Sequence, residues 1–152
     1  MNIGSDNRIF PFQSLDTDFG LTRSERQARL QQNWGFRCAC ALCSAPAANI
    51  TASDGRRLRI RTLQEELKQQ LQNKAFRGAI RLNHELLGLL AEEQLIPHLG
   101  EHYHVMARLY LAARDTQNVK KYSLLALEDL EAYGGPDTDD VIGELRELLR
   151  VL

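Results

Sequence analysis

All three cysteines of the chain, Cys38, Cys40 and Cys43, fall within six residues of a segment reading Trp-Gly-Phe-Arg-Cys-Ala-Cys-Ala-Leu-Cys. Thiolates set this close in sequence can converge on one ion if the backbone turns sharply, and Gly35 with the small Ala39 and Ala41 permits that turn. Zinc takes four ligands in a tetrahedron, with sulfur at about 2.3 Å, so a triplet leaves the site one donor short. The competing reading is three buried, inert cysteines, a common fate of free thiols. Packing alone gives no reason to gather them in one loop-like segment. A catalytic thiol needs a neighbouring base, and the four histidines all lie beyond residue 83.

Two further clusters have chemical readings. His98-Leu99-Gly100-Glu101-His102 spells the His-x-x-Glu-His pattern of inverted zinc metallopeptidases, with two imidazoles at i, i+4 and a glutamate to activate water. Pro97 and Gly100 place His98 at a helix start, and no third ligand announces itself. The histidines therefore read as ordinary helix residues, with His84, His102 and His104 on polar sides. The run Arg56-Arg57-Leu58-Arg59-Ile60-Arg61 could face an acidic protein segment or nucleic acid. It has no interleaved aromatics to stack bases, so nucleic acid is not the expected partner.

The bulk numbers set the frame for these sites. A chain of 152 residues holds one domain with a real core, or a small module beside a larger one. A net charge of −1 argues against a dedicated nucleic-acid or anionic-membrane binder at the level of the whole chain. The charge is uneven. Residues 55–81 carry eight Lys/Arg against Glu65 and Glu66, and residues 128–147 carry eight acids against Arg146. These read as two solvated helix faces that attract each other. The first eight residues have no apolar segment and are not expected to be a signal peptide. The longest aliphatic run, Leu86 to Ala91, is too short to cross a bilayer. An odd number of clustered cysteines without a secretory signal implies reduced thiols and a nuclear or cytoplasmic location.

The elements that must position these residues are almost all helical. Residues 1–20 read as irregular, with an Ile-Phe-Pro-Phe patch at 9–12 and Trp34 further on as a hydrophobic plug for the cysteine loop. Thr22 and Glu25 have capping-box spacing, which starts a short helix that ends near Asn33. Residues 44–55 are small and polar, the composition of a linker between a module over 21–43 and a domain over 56–152. In that domain Leu58, Ile60, Leu63, Leu67 and Leu71, then Ala79, Leu82, Leu86, Leu87 and Leu90, form helical stripes. Further helices follow over 99–113, 118–133 and from the acidic cap at 137–140 to the end. The predicted fold is mainly α: an irregular Cys-rich loop module followed by an antiparallel helical bundle. Phe76, Ala79, Ile80 and Leu87, with Tyr110, Ala126 and Leu127, make a faint repeat about 40 residues apart. It resembles degenerate tetratricopeptide pairs.

The segment from Arg23 to Cys43 resembles the end of a SET domain and the post-SET zinc motif of SMYD-like and fungal SET-domain protein-lysine methyltransferases. The resemblance covers residues 21–152 and is specific only over 21–43. It implies that Cys38, Cys40 and Cys43 bind zinc with a fourth cysteine from an Asn-His-Ser-Cys segment of the SET core. It implies that Phe36 packs against the adenine of S-adenosylmethionine, and that the helices form a C-terminal tetratricopeptide-like domain. No Asn-His-Ser-Cys segment and no strand set for a SET core occur in this chain, and Tyr103, Tyr110, Tyr122 and Tyr133 all sit in predicted helices. Methyl transfer needs the lysine amine aligned with the sulfonium methyl, so the chain is expected to correspond to the C-terminal portion of such an enzyme, inactive alone. A truncated product, a partial gene model and a decayed copy are all compatible with that. The protein substrate, histone or otherwise, belongs to the intact parent. The alternative is a non-enzymatic module whose helical groove binds a protein or peptide and whose zinc loop is structural.

Overall fold

A computed structural model describes residues 20–152; the Ile-Phe-Pro-Phe patch lies outside the described residues. Among those described are six α-helices and no strand. They are α1 (Arg23–Trp34), α2 (Ala47–Gln72), α3 (Phe76–Glu92), α4 (Leu99–Ala112), α5 (Thr116–Tyr133) and α6 (Asp139–Val151). The mainly α architecture follows from the periodicity of the sequence.

Local chemistry sets the boundaries of α1. The Thr22 hydroxyl accepts from the Glu25 backbone N–H, and the Thr22 N–H donates to the Glu25 carboxylate at 2.7 Å, which closes the capping box. Gly35 ends the helix in the left-handed conformation at φ 70°.

The segment 44–55, expected to be a linker, is helical from Ala47 onward as the first part of α2. Pro46 leads into it with its fixed φ, and Ala47, Ala48 and Ala52 favour helix. Tertiary contacts overcome the weak propensity of its Asn, Ser and Asp residues. The Ser53 hydroxyl and the Arg56 and Arg57 guanidiniums all donate to the Glu93 carboxylate at the end of α3, at 2.7, 2.6 and 2.9 Å. Arg57 and Glu93 are buried in this contact. It also makes α2 and α3 antiparallel.

Successive helices pack on one another from α2 to α6. The core gathers Ile60, Leu63, Leu67 and Leu71 from α2, the stripe Ala79–Leu90 from α3, Met106 and Leu109 from α4, Ala126 and Leu130 from α5, and Leu145 from α6. Leu58 departs from the expected stripe. It precedes Ile60 by two residues, which turns it off the buried face, and it is exposed. At Gly100 the backbones of α4 and α5 approach so closely that a Cβ there would lie 3.0 Å from Leu130 Cγ.

Three helix ends share one geometry. Lys74, Gln94 and Arg114 adopt left-handed φ of 55°, 56° and 58°. At each, two crossed bonds close the last turn: Ala75 N–H to Gln70 O, Leu95 N–H to Leu90 O and Asp115 N–H to Tyr110 O, with inner bonds from Lys74, Gln94 and Arg114. These are Schellman closures. They recur at every twentieth position, so a pair of helices repeats after forty, the spacing of the faint sequence repeat.

An L side chain at a left-handed position costs about 1 kcal/mol, whereas glycine in mid-helix costs about as much in the opposite sense. Lys74→Gly is therefore expected to raise the midpoint of thermal unfolding, and Lys68→Gly, on the same helix, to lower it. Circular dichroism melts of the two variants check the sign.

Candidate metal centre

The three sulfurs of Cys38, Cys40 and Cys43 lie within 4.8 Å of one another. A tetrahedral zinc site with sulfur at about 2.3 Å separates its sulfurs by roughly 3.8 Å, so a small closure brings this trio onto an ion. The donor set fits zinc. Among the described residues no fourth Cys, His, Asp or Glu joins the group.

One face of α1 holds the loop in place. Gln27 grips Cys38 at both backbone ends: the Cys38 N–H donates to Gln27 Oε1 at 2.8 Å, and Gln27 Nε2 donates to the Cys38 carbonyl at 2.7 Å. Arg23 Nε donates to the Cys43 carbonyl at 2.7 Å. Within the loop, Ser44 N–H closes a turn on the Cys40 carbonyl at 2.9 Å. The Arg23 backbone N–H donates to Asp54 of α2, and Arg61 reaches both Glu25 and the Gly20 carbonyl. The cysteine module is thereby fastened to the longest helix. Arg61 and the Thr22 N–H hold Glu25 down to about 2, well below the usual carboxylate range.

The thiols differ. Cys40 is exposed, and hydrogen bonding from the Cys43 backbone, then from the Cys38 and Cys43 thiols, lowers its pKa to about 7. Cys43 is buried, which pushes its thiol up; its hydrogen bonds to Cys40 and Cys38 add to this, and Arg26 pulls the other way. Cys40 is thus the thiolate available near neutral pH, and a metal must displace the proton of Cys43.

The sequence pointed to the three ligands and missed their supports. Arg23, Arg26 and Gln27 share a helix face at i, i+3 and i+4, and that spacing was the available signal. Other expectations need correction. Trp34 does not plug the loop; it is 66% exposed. Phe36 is 48% exposed, and Leu42 also stands partly in solvent. Both aromatics flank a helix C-terminus that no later element covers.

His102 and His104 are buried rather than on a polar side, because α4 contacts α3 and α5 on either side and reaches α6 through His104 and Arg108. His102 Nδ1 pairs with Asn83 Oδ1 at 2.9 Å while Asn83 Nδ2 donates to the His102 carbonyl. With His98 and Glu101 it forms no three-ligand group among the described residues, so the His-x-x-Glu-His spelling assembles no metal site.

Among the described residues the ion pairs of the two charged stretches are made with other partners. Arg56, Arg57, Arg59 and Arg61 pair with Glu93, Glu85 and Glu25, while Glu131 and Glu144 pair with Arg146 and Arg108. No helix among the described residues is long and apolar enough to cross a membrane. No family model, curated protein or solved structure matches the chain.

Two measurements probe these interiors. Burial, reinforced by His98, lowers His102 to about 4. Its neutral form is the folded form, so full stability is present above about pH 6.5. Stability falls as pH drops from 6.5 to 4, by an amount on the order of 3 kcal/mol. Urea unfolding across that window is expected to show the loss, and the double variant Asn83→Leu/His102→Leu to reduce it, the remainder coming from His84, His98 and His104, which burial also lowers. At the loop, Gln27→Ala is expected to weaken zinc binding ten- to a hundredfold, roughly the effect of losing a ligand-orienting partner. Competition with a chromophoric chelator reads that change, and an unaltered far-ultraviolet spectrum separates it from unfolding.

Proposed function

We propose that this chain serves as the post-SET loop and C-terminal helical domain of a SET-type protein-lysine methyltransferase, and that it does not transfer methyl groups alone. The observation that carries the reading is a converged three-thiolate group with no fourth donor among the described residues. It lies on a loop of Trp-Gly-Phe-x-Cys-x-Cys-x-x-Cys spacing. In this reading Cys38, Cys40 and Cys43 hold zinc together with a thiolate from the SET core. The metal fixes the loop against that core, and Phe36 covers the adenine of S-adenosylmethionine. The exposure of Trp34 and Phe36 supports this, since large apolar side chains left in water at one site mark a surface that another element covers. The helices α2 to α6 contribute a rigid buttress for the loop and a wall beside the protein substrate.

Residues of this chain take part by position and not by chemistry. Gln27 and Arg23 orient the thiolate loop, and α1 hands that orientation to α2 through Arg23–Asp54 and Glu25–Arg61. Zinc, when bound, supplies a structural crosslink; three thiolates with a protein-derived fourth form a closed site with no position for a reacting water.

Isothermal calorimetry of S-adenosylmethionine against the isolated chain is expected to show no binding. The isolated chain should give up zinc readily to a chelator. Mixing it with a separately expressed SET core containing an Asn-His-Ser-Cys segment should restore zinc retention, and Cys40→Ser should abolish that restoration. Micromolar S-adenosylmethionine affinity without the core, or zinc held as firmly alone as with it, would overturn the proposal.

A further inference from the structure

The three thiols of the loop differ in what reaches them from water. Cys40 is exposed, Cys38 is half-buried, and Cys43 retains 3% of its surface. An oxidant in solution therefore meets the Cys40 sulfur first. The chain contains no fourth cysteine, so a sulfur oxidised at Cys40 finds a partner thiol within the chain only at Cys38 or Cys43.

The backbone separates those two partners. Ser44 N–H donates to the Cys40 carbonyl at 2.9 Å, which closes one turn over residues 40–44 and sets Cys43 beside Cys40 at i, i+3. The sulfurs lie within 4.8 Å of one another, and the exposed Cys40 side chain has room to rotate toward Cys43 until a bond of about 2.05 Å forms. Cys38 has no such freedom. One residue separates it from Cys40, and Gln27 holds both its N–H, at 2.8 Å, and its carbonyl, at 2.7 Å. The small ring that a Cys38–Cys40 bond closes is therefore pinned at one end. Cys40-Ala41-Leu42-Cys43 also has the Cys-x-x-Cys spacing of dithiols that cycle with a disulfide.

We infer that Cys40 and Cys43 form a reversible intrachain disulfide on exposure to a peroxide, and that this bond withdraws two of the three metal donors. First the Cys40 thiolate attacks the peroxide. An S–O bond forms, the O–O bond breaks and hydroxide leaves, so sulfur is oxidised to the sulfenic acid and the peroxide is reduced. The Cys43 sulfur then attacks Cys40. The S–S bond forms, the S–O bond breaks, and the departing hydroxide takes the Cys43 proton to become water. A dithiol reductant restores both thiols by exchange and is itself oxidised to its disulfide. The withdrawal of donors rests on the reading of the trio as a zinc site; the disulfide does not.

Intact-mass spectrometry of the whole, zinc-free chain treated with hydrogen peroxide tests the bond. The expected change is the loss of two hydrogens, with one thiol left to iodoacetamide at Cys38 and full reversal by dithiothreitol. Cys38→Ser should leave the bond intact. Cys43→Ser should gain one oxygen instead and label with dimedone, and Cys40→Ser should slow oxidation about tenfold or more, because the exposed thiol is gone. Peroxide-linked dimers, a bond mapped to Cys38, or a Cys43→Ser variant that still loses two hydrogens would overturn the inference. Zinc uptake, read with a chromophoric chelator, should fall on oxidation to the level of Cys40→Ser/Cys43→Ser. Equal uptake by the reduced chain and that double variant would refute the metal half while the disulfide stood.

Discussion

The carboxylate of Glu93 governs how this chain is put together. It sits at the end of α3, almost without solvent contact, and takes hydrogen bonds from Ser53, Arg56 and Arg57. Burial raises its pKa, yet the Ser53 hydroxyl and the two guanidiniums outweigh that and hold it ionised. A buried pair of charges adds little net stability over apolar residues of the same shape, but it fixes register, because no other alignment satisfies the charge. Here the alignment fixed is that of the first two turns of α2. Those turns hold only the half-buried Ile50 as a large apolar residue, and their Asn, Ser, Asp and Gly residues suggested a loop.

That register is what allows the cysteine module to be ordered against the helices. Asp54 lies one residue from Ser53 and accepts from the backbone of Arg23; Arg61, two turns on, takes Glu25 and the Gly20 carbonyl. From Arg23 the same side chain continues to the Cys43 carbonyl, while Gln27 one turn later holds Cys38. A chain of polar contacts therefore runs from the buried carboxylate of α3 to the thiolate loop. Such a device suits a metal site: hydrogen bonds set orientation within a few tenths of an ångström, whereas apolar packing tolerates sliding. A metal bound there would add rigidity to the loop.

The sequence made the helical fold readable because its determinants are local. The Thr22–Glu25 box, the glycine after Trp34 and the stripe from Ala79 to Leu90 each announce themselves within a few residues. The convergence of Cys38, Cys40 and Cys43 was legible for the same reason. What was illegible depends on partners distant in sequence. The helicity of residues 47–55 depends on Glu93, forty positions from Ser53. The burial of His102 and His104 depends on α3 and α6 covering a face whose residues look polar. The Schellman turns hid because Lys74, Gln94 and Arg114 occupy positions where glycine is the usual signal. Trp34 misled in the opposite sense: its size argues for burial, but it is mostly exposed.

The turn repeat also sets how the helices stack. Each left-handed turn reverses the chain after the same number of residues, so successive helices pair with nearest neighbours and each buries apolar surface against the one before. An array built this way has two ends. At the first, α2 presents its outer side to the cysteine module through polar contacts, and its arginines are consumed there and along α3. At the last, α6 packs on α5 and touches α4 through Glu144, which pairs with Arg108, and Leu145 of α6 joins the core. Polar contacts therefore fasten the cysteine loop to α2, while apolar stacking joins the helices that follow.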